Sequence, residues 1–449
     1  QHEVLAFDEG YTGHDYRDYV QSAQDHNLVL VNGQGPGVPL SEWTDMDNTV
    51  FIENYFDAPS LDYAELAAWW QETHITRKLL FPDHRYLLMI DEVRGAAVND
   101  YQYQLHGHGL LGASADSPEG AFVLDAADQS CLISRNGVHL KAKVLARGGA
   151  SAYTSEVDTA YNGLYLREHS KLLVHKNEVE ATEFVALLFP YTDEEGMPYM
   201  ETLPVGAEQT ALKWNSGTEN HFALVQAKPE WTTMAENITE LAMPIQTNGS
   251  INFWAFTSAG QWRSLFLGNG DSLNMGETLS LVASQKMNIA LERMDGGLFA
   301  GYVQQPGSLT IALDSTLIVR SGAINDVEYS ADGRSMTLHF EAPTHFQLEY
   351  GTVITTATAL PESELPQIKL SPNPCTNWID VESTLPGGQQ AIGLELWDSK
   401  GRLLLQQKVE MGAGTEAVRL DVSAYPAGSY LLQLQEATRS WSRKIIVKK

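Results

Sequence analysis

Short apolar runs separated by turn-forming residues are the feature that most limits what this chain can fold into. Residues 138–146 (VHLKAKVLA) and 178–190 (EVEATEFVALLFP) are two of many such runs, and Gly, Pro and Asn recur between them. This pattern is typical of β-strands joined by tight turns. Residues 324–342 hold two alternating runs joined at Asp332-Gly333, where glycine supplies the positive φ that a hairpin turn needs. We therefore predict an all-β protein built around a large stacked antiparallel β-sandwich.

Two stretches near the amino end add to this prediction. Residues 27–33 (NLVLVNG) are apolar at successive positions, which favours a strand covered on both faces. Residues 60–72 (SLDYAELAAWWQE) are the best candidate for a helix, with Ser60 at the N-cap position.

The sharpest boundary lies at residues 361–367 (PESELPQ), which are rich in proline and acid. We expect a large sandwich over 1–358, with a smaller β layer at about 205–355, then a linker at 359–369. A second domain follows at 370–449.

The formal net charge of −28 is unevenly placed. The last domain, counted from residue 366, holds 10 Lys and Arg against 8 Asp and Glu, so nearly all the negative charge belongs to the first. Since nucleic-acid binding depends on neutralising phosphates, we exclude a nucleic-acid partner. The two cysteines, Cys131 and Cys375, exclude a disulfide framework. No apolar run reaches the roughly 18 residues that suggest a transmembrane segment.

The chain from residue 370 onwards consists of strand pairs with tight turns, typical of a small immunoglobulin-like β-sandwich. Its landmarks are SPNP, ELWDSKGR, LDVSAYPAGSYLL and a basic KIIVKK ending, in that order. They resemble the type A C-terminal sorting domain of the type IX secretion system of Bacteroidetes. The resemblance implies the secretion machinery as a partner and export through the periplasm and outer membrane, to a secreted or cell-surface location. A generic binding module is the alternative, and in either case we expect this domain to direct localisation and to have no catalytic role.

Side chains that can bind a metal, form hydrogen bonds or transfer protons precede the first strand: Asp8, Tyr11, Tyr16, Arg17 and His26. Carboxylate and neutral imidazole both suit zinc, which takes three or four N, O or S ligands. Nearby phenols can donate hydrogen bonds or accept protons. The simpler interpretation is that the acid caps the turn that follows it and the imidazole bonds to a backbone carbonyl in the core.

The order of these residues resembles the heparinase II/III-like polysaccharide lyases. DEGYTG, YRDY and DHNLVLVNGQG follow that family's order of Asp-x-Gly, Tyr, Tyr-Arg and His-Asn before an apolar strand. FPDHRYLLMIDEVRG and YQYQLHGHG resemble its next two strands. The similarity is best over residues 4–110, thinner to about 200 and only architectural from there to 355. It implies an α/α toroid coupled to this sandwich across an active cleft, and because the toroid is missing we expect the chain to be a fragment.

In that family an Asp and two His of the sandwich hold a zinc ion. Asp8 and His26 match the Asp and the downstream His by position. The other His belongs to a His-x-His stretch upstream of the Asp, so the third ligand is expected before residue 1, and His2 is too close to replace it. The resemblance implies a structural zinc that ties strand to strand beneath the cleft.

The implied reaction is β-elimination on a uronic acid residue. A base removes the proton at C5, and the oxygen at C4 leaves with a proton from an acid, once the carboxylate is neutralised. The main acid and base are expected upstream, so the catalytic residues are unknown. Tyr11, Tyr16 and Arg17 are the substrate-binding candidates, and Arg17 would pair with the uronate carboxylate. The alternative is that Tyr16 and Tyr19 are packing residues and Arg17 is a surface charge.

Other histidines and tryptophans have less specific patterns. His106 and His108 share one face of a predicted strand but lack an obvious third metal ligand. His169 and His175 form no recognisable metal spacing. Stacking on sugar rings is one possible use of tryptophan, but core packing is expected for most of Trp69, Trp70, Trp214, Trp254 and Trp262.

Three functions fit these features. We favour the C-terminal portion of a secreted polysaccharide lyase that cleaves a uronate-containing anionic polysaccharide, with the fragment inactive by itself. The alternative is a non-catalytic carbohydrate-binding or adhesive surface protein. A glycoside hydrolase, which uses two carboxylates at a set separation, has no supporting motif.

Overall fold

The structure is a computed structural model. It describes residues 5–6, 22–36, 50–58, 60–162, 165–227, 245–351, 368–384, 390–398, 403–411, 415–436 and 439–448. The chain divides into two compact units, Gln1–Val353 and Ile354–Lys449. Across the described ranges the regular elements are 31 strands and two 3-10 turns, Ala23–Asp25 and Asp295–Gly297, so the all-β prediction is confirmed.

The first unit contains two large sheets. The strands of the first sheet are β1 (Val29–Val31), β2 (Phe51–Ala58), β3 (Leu61–Trp70), β4 (Thr73–Pro82), β5 (Leu87–Gly107), β6 (Leu110–Leu111), β7 (Ala121–Asp125), β8 (Ser130–Arg135), β9 (Val138–Ala146), β10 (Ala152–Asn162) and β11 (Tyr165–Thr192). Their order is β2-β3-β4-β5-β11-β9-β8-β7-β6, with β1 paired to β5 and β10 to β11. Because β5 and β11 are long, each has room for a further partner beyond the main sheet order.

The second sheet continues the unit with thirteen strands. They are β12 (Met200–Leu203), β13 (Gln209–Ser216), β14 (Glu219–Gln226), β15 (Gln246–Thr247), β16 (Ile251–Phe256), β17 (Trp262–Asn274), β18 (Leu279–Met294), β19 (Leu298–Val303), β20 (Gly307–Leu313), β21 (Leu317–Gly322), β22 (Asp326–Tyr329), β23 (Ser335–Phe340) and β24 (Thr344–Tyr350). Strands β22 and β23 form the hairpin expected at Asp332-Gly333, and Gly333 has φ +69°.

The two sheets pack face to face through aromatic side chains. Phe56 and Tyr63 of the first sheet contact Phe266 of the second, with ring centroids 5.7 and 5.2 Å apart. The opposite face of the first sheet is also buried, and there β1 packs Val29 and Val31 into a separate apolar cluster. The prediction that β1 is covered on both faces agrees with its fully buried residues.

The helix predicted at 60–72 is wrong, because these residues form strand β3. The strand is hydrogen-bonded on both sides, to β2 and to β4. It ends in a two-residue turn at Gln71-Glu72, where both residues have positive φ, as in the tight turns that suit β-hairpins. Pairing with two neighbours therefore outweighs the local helix preference.

The second unit is a small sandwich of two sheets. Its strands are β25 (Ile368–Ser371), β26 (Trp378–Thr384), β27 (Gln390–Asp398), β28 (Leu403–Met411), β29 (Thr415–Asp421), β30 (Gly428–Glu436) and β31 (Arg439–Val447). The sheet orders are β25-β26-β29 and β28-β27-β30-β31. The predicted linker lies almost wholly outside the described residues, which resume at Ile368.

The SPNP and KIIVKK landmarks of this unit lie side by side. The Asn373 side-chain oxygen accepts a hydrogen bond from the Ile446 N–H at 2.9 Å. The backbone of Cys375 bonds to both Ile446 and Lys448. The two ends of the unit are therefore held together. Among the described residues, no helix is long and apolar enough to cross a bilayer.

Candidate metal centre

Strand register brings four polar side chains to one place on the first sheet. Strand β10 lies opposite β11 so that Asp158 pairs with His169, and β5 lies opposite β11 so that His106 pairs with Lys171. Since side chains alternate along a strand, His169 and Lys171 share one face, and their cross-strand partners share it too. We call His106, Asp158 and His169 the histidine cluster.

The two imidazoles of the histidine cluster are almost fully buried and touch each other. Nδ1 of His106 lies 2.8 Å from Nε2 of His169. One ligand atom from each of the three residues lies within 4.8 Å of the other two. Burial lowers the pKa of His169 to about 4 despite the opposing effect of Asp158. The imidazole is therefore neutral at pH 7, which is the form that binds a metal.

Asp158 supplies the negative charge of the cluster. Burial acts to raise its pKa, but the hydrogen bond from Lys171 and the Thr159 N–H together hold the pKa below its ordinary value. Lys171 Nζ lies 2.6 Å from one carboxylate oxygen, and the Thr159 N–H donates to the other at 2.8 Å. Each oxygen has a second lone pair, so these contacts still leave acceptor capacity for an ion.

The segment that carries the His-Asn pair packs directly on this cluster. The side-chain oxygen of Asn27 accepts a hydrogen bond from the His106 N–H at 2.7 Å. Lys171 donates to the Gln24 carbonyl at 3.2 Å. Gln104 donates to the carbonyl of His26 at 3.2 Å, so the backbone beside the predicted ligand is held by the strand that bears His106.

A second carboxyl group lies beside the cluster. Asp25 is buried in the short 3-10 turn, and burial, with a further contribution from Asp158, raises its pKa to about 6. Asp25 is therefore mostly ionised at pH 7 and takes up a proton as the pH falls through about 6.

The donor set of the histidine cluster fits a divalent zinc ion. Two neutral imidazoles and one ionised carboxylate are the kinds of ligand that zinc takes, and three protein ligands leave a position for a further group. The burial of both rings would exclude water from most of the site. The cluster joins three strands, β5, β10 and β11, so an ion held there would cross-link them.

A second group of similar residues has different surroundings. Asp83, Glu219 and His221 also place ligand atoms within 4.8 Å of one another, and we call them the arginine cluster because Arg263 lies among them. Arg263 donates to Asp83 at 2.6 Å and to Glu219 at 2.9 Å. Buried His221 contacts the Tyr86 hydroxyl and lies 3.3 Å from Glu219. Since a fixed guanidinium already neutralises the acids, this group is an ion network that joins the two sheets.

The predicted site residues are only partly described. Asp8, Tyr11, Tyr16 and Arg17 lie outside the described residues, so the Asp8–His26 pair stays a prediction. His26 is half-buried beside the histidine cluster.

The sequence interpretation missed the histidine cluster because its three residues come from separate strands. His106 lacked a third ligand in sequence, and His169 matched no metal spacing. Strand β10 pairs Asn162 with Tyr165 and so brings Asp158 opposite His169, a register that the spacing of these residues in sequence does not reveal.

The histidine His108, predicted to share a face with His106, lies just beyond β5. Its Nε2 is 3.5 Å from the guanidinium of Arg135. Three of the tryptophans, Trp214, Trp254 and Trp262, are fully buried, in agreement with the expected core packing, whereas Trp69 is 58% exposed.

Several solved structures are similar to part of this chain. A heparinase III gene product is 12% identical, with a TM-score of 0.39 over 49% of this chain and 34% of that one. The heparan sulfate lyase HepC from Pedobacter heparinus is 16% identical, with a TM-score of 0.39 over 50% of this chain and 34% of that one. Dimeric latent PorU from Porphyromonas gingivalis is 10% identical, with a TM-score of 0.17 over 81% and 31%. The chain thus spans about a third of the length of these structures.

Sequence comparison identifies the second unit. No relative was found among curated protein sequences. Residues 369–448 match the family of secretion system C-terminal sorting domains. The expected export signal is therefore confirmed: the carboxyl-terminal unit is a sorting domain that directs export of this protein to the cell surface or the exterior.

Proposed function

We propose that this chain is the sandwich portion of a secreted polysaccharide lyase that acts on a uronate-containing polysaccharide. The observation that carries the proposal is the contact between Asn27 and His106. It joins the end of the lyase-like segment to a His-Asp-His set that is separate from the Asp8–His26 pair to which the resemblance assigns zinc. The sorting domain supplies the extracellular location in which such polymers occur.

Zinc has a structural role in this proposal. His106, Asp158 and His169 would hold the ion, and His26 lies next to them on the segment that leads back to Asp8. The ion would cross-link β5, β10 and β11 next to the segment that contains His26 and Asn27. Lys171 keeps Asp158 ionised, and Asn27 fixes the backbone of His106.

The substrate-binding residues in this proposal are Tyr11, Tyr16 and Arg17. Arg17 pairs with the uronate carboxylate, and the two phenols hydrogen-bond to the sugar. The elimination removes the C5 proton, expels the C4 oxygen with a proton, and leaves a C4=C5 double bond. Two described tyrosines, Tyr86 and Tyr103, are unsuited to the proton transfers because burial raises the pKa of each well above its ordinary value.

The test uses the protein as its source cells secrete it. Incubation with alginate, a polymer of uronates, should increase the ultraviolet absorbance of the new double bond. The 449-residue chain alone should give no increase, and its Arg17→Gln variant should lose affinity for alginate oligomers while keeping its thermal midpoint. Failure of the secreted protein to form unsaturated products from any uronate polymer would contradict the lyase proposal and leave the non-catalytic carbohydrate-binding alternative.

A further inference from the structure

Four side chains lie on the inner face of the first sheet, next to the part of that face that packs on the second sheet. Register places Phe51 opposite Ala67, Trp69 opposite His74, and His74 opposite Arg94. Since Trp69 is two residues beyond Ala67, all four project from one face. We call Phe51, Trp69, His74 and Arg94 the aromatic ledge.

The ledge continues the face that packs against the second sheet. Further along the same strands, Tyr63, Leu80 and Leu88 lie on this face and belong to the core between the sheets. Beyond that core, Phe51 and Trp69 on the same face are 57% and 58% exposed. The indole of Trp69 is held against the imidazole of His74, with ring centroids 4.5 Å apart. The ledge is therefore an exposed aromatic surface in which the Trp69 ring packs on His74.

The charge of the ledge is opposite to that of the chain. Arg94 is exposed, although the chain carries a net charge of −28. Of the neighbouring acids, Glu92 bonds to Lys78 at 2.5 Å, whereas Glu183 pairs with Arg147 at 2.9 Å and also interacts electrostatically with Arg94. Arg94 is thus the exposed cation among the four ledge side chains.

We propose that the aromatic ledge binds a segment of acidic polysaccharide, with a sugar ring stacked on Trp69 and a uronate carboxylate paired with Arg94. Aromatic faces suit the C–H-rich face of a pyranose, and a guanidinium fork suits a planar carboxylate. Trp69 and Arg94 are two inter-strand spacings apart, roughly 10 Å, so the ligand spans at least two sugars. This binding requires neither the histidine cluster nor turnover.

Calorimetric titration of the full chain with alginate oligomers tests the proposal. Trp69→Ala and Arg94→Gln should each weaken binding by about tenfold or more, the effect expected from losing one stacking or charge-assisted contact. Tyr55→Ala is the matched aromatic control, since Tyr55 is 76% exposed on the opposite face of the same hairpin. Arg334→Gln is the matched charge control, on the exposed β22–β23 turn. Both controls should bind like the parent.

Two further arms separate the competing explanations. Neutral dextran oligomers should bind much more weakly than alginate, and equal binding would overturn the role of Arg94. A chelator should leave alginate binding at the ledge unchanged, which separates this proposal from the metal centre. If alginate affinity is the same in the parent and in both ledge variants, the proposal is wrong. If Trp69→Ala instead dissociates a dimer in sedimentation, the face is a contact between copies and the proposal is also wrong.

Discussion

The same residue types serve different purposes at two places in the first unit. In the histidine cluster, two buried rings face one carboxylate, and Lys171 donates to that carboxylate and to the Gln24 carbonyl. In the arginine cluster, Arg263 lies between the acids and takes the position that a divalent ion would need. The two groups therefore differ in where the nearby cation sits, which is why we propose an ion only for the histidine cluster.

His26 was predicted as a ligand from the His-Asn pair that precedes an apolar strand, and the structure describes it beside the histidine cluster. Its role as a ligand stays a prediction. His106, Asp158 and His169 were not visible as a set, since their proximity depends on the register of three strands. Register is fixed by long-range pairing, which leaves little trace in the spacing of single residues.

A buried acid on the first sheet gives a pH-dependent prediction. Burial raises the pKa of Glu183 from 4.5 to about 7, and Arg147 opposes this only partly. The folded state then holds the proton more tightly than the unfolded state, so the contribution of Glu183 to stability is greatest below pH ~4.5 and is lost as the pH rises through ~7. Glu183→Gln should gain stability relative to the parent by up to roughly 3 kcal/mol across this interval.

Urea unfolding at several pH values measures this difference. Glu208→Gln is the matched control, because Glu208 pairs with the same arginine but its side chain is 53% exposed. The control should show little change with pH relative to the parent. Identical pH profiles for the two variants would show that burial of Glu183 is not the cause.

At the scale of the element, pairing decided conformation more than local preference did. The alternating hairpin at β22–β23 was predicted correctly, because its turn and its alternation agree. Residues 60–72 were assigned wrongly, because their alanines, leucines and glutamates suit a helix whereas their neighbours on both sides are strands. Strand preference depends on the partners, which a single segment does not reveal.

The turn that ends β3 gives a prediction at this scale. Glu72 has φ +53° and is exposed, a conformation that is unfavourable for residues with a side chain. Glu72→Gly should stabilise the first unit by about 1 kcal/mol, because glycine adopts positive φ without steric conflict. Glu72→Ala removes the same carboxylate and should give no such gain. Equal unfolding midpoints in urea for the two variants would contradict the turn geometry.

In the whole molecule, the export signal and most of the acidic residues lie in different units. The first unit carries nearly all the negative charge and both clusters, whereas the sorting domain is close to neutral. Its SPNP segment and last strand are bound to each other, which makes the landmarks one surface feature despite their separation in sequence. The composition break at the linker was visible in sequence because charge and proline content change there together.

Removing the sorting domain should abolish export. A chain ending at residue 367 should accumulate inside the source cells, whereas the full chain should reach the surface or the medium, as immunoblots of cell fractions would show. Thermal unfolding of the truncated chain checks that the first unit is folded. Equal amounts of folded truncated and full chain in the medium would contradict the assigned role of the domain.

The central claim is that His106, Asp158 and His169 bind zinc. Equilibrium dialysis of the chelator-treated chain against zinc, followed by metal analysis, tests it most directly, with His139→Ala as the control because His139 pairs with Asp193 outside the cluster. The account predicts about one zinc per chain in the parent and the control, a higher thermal midpoint with zinc, and loss of both effects in His169→Ala. A parent chain that neither retains zinc nor gains stability from it would contradict the account, as would unchanged zinc binding in His169→Ala.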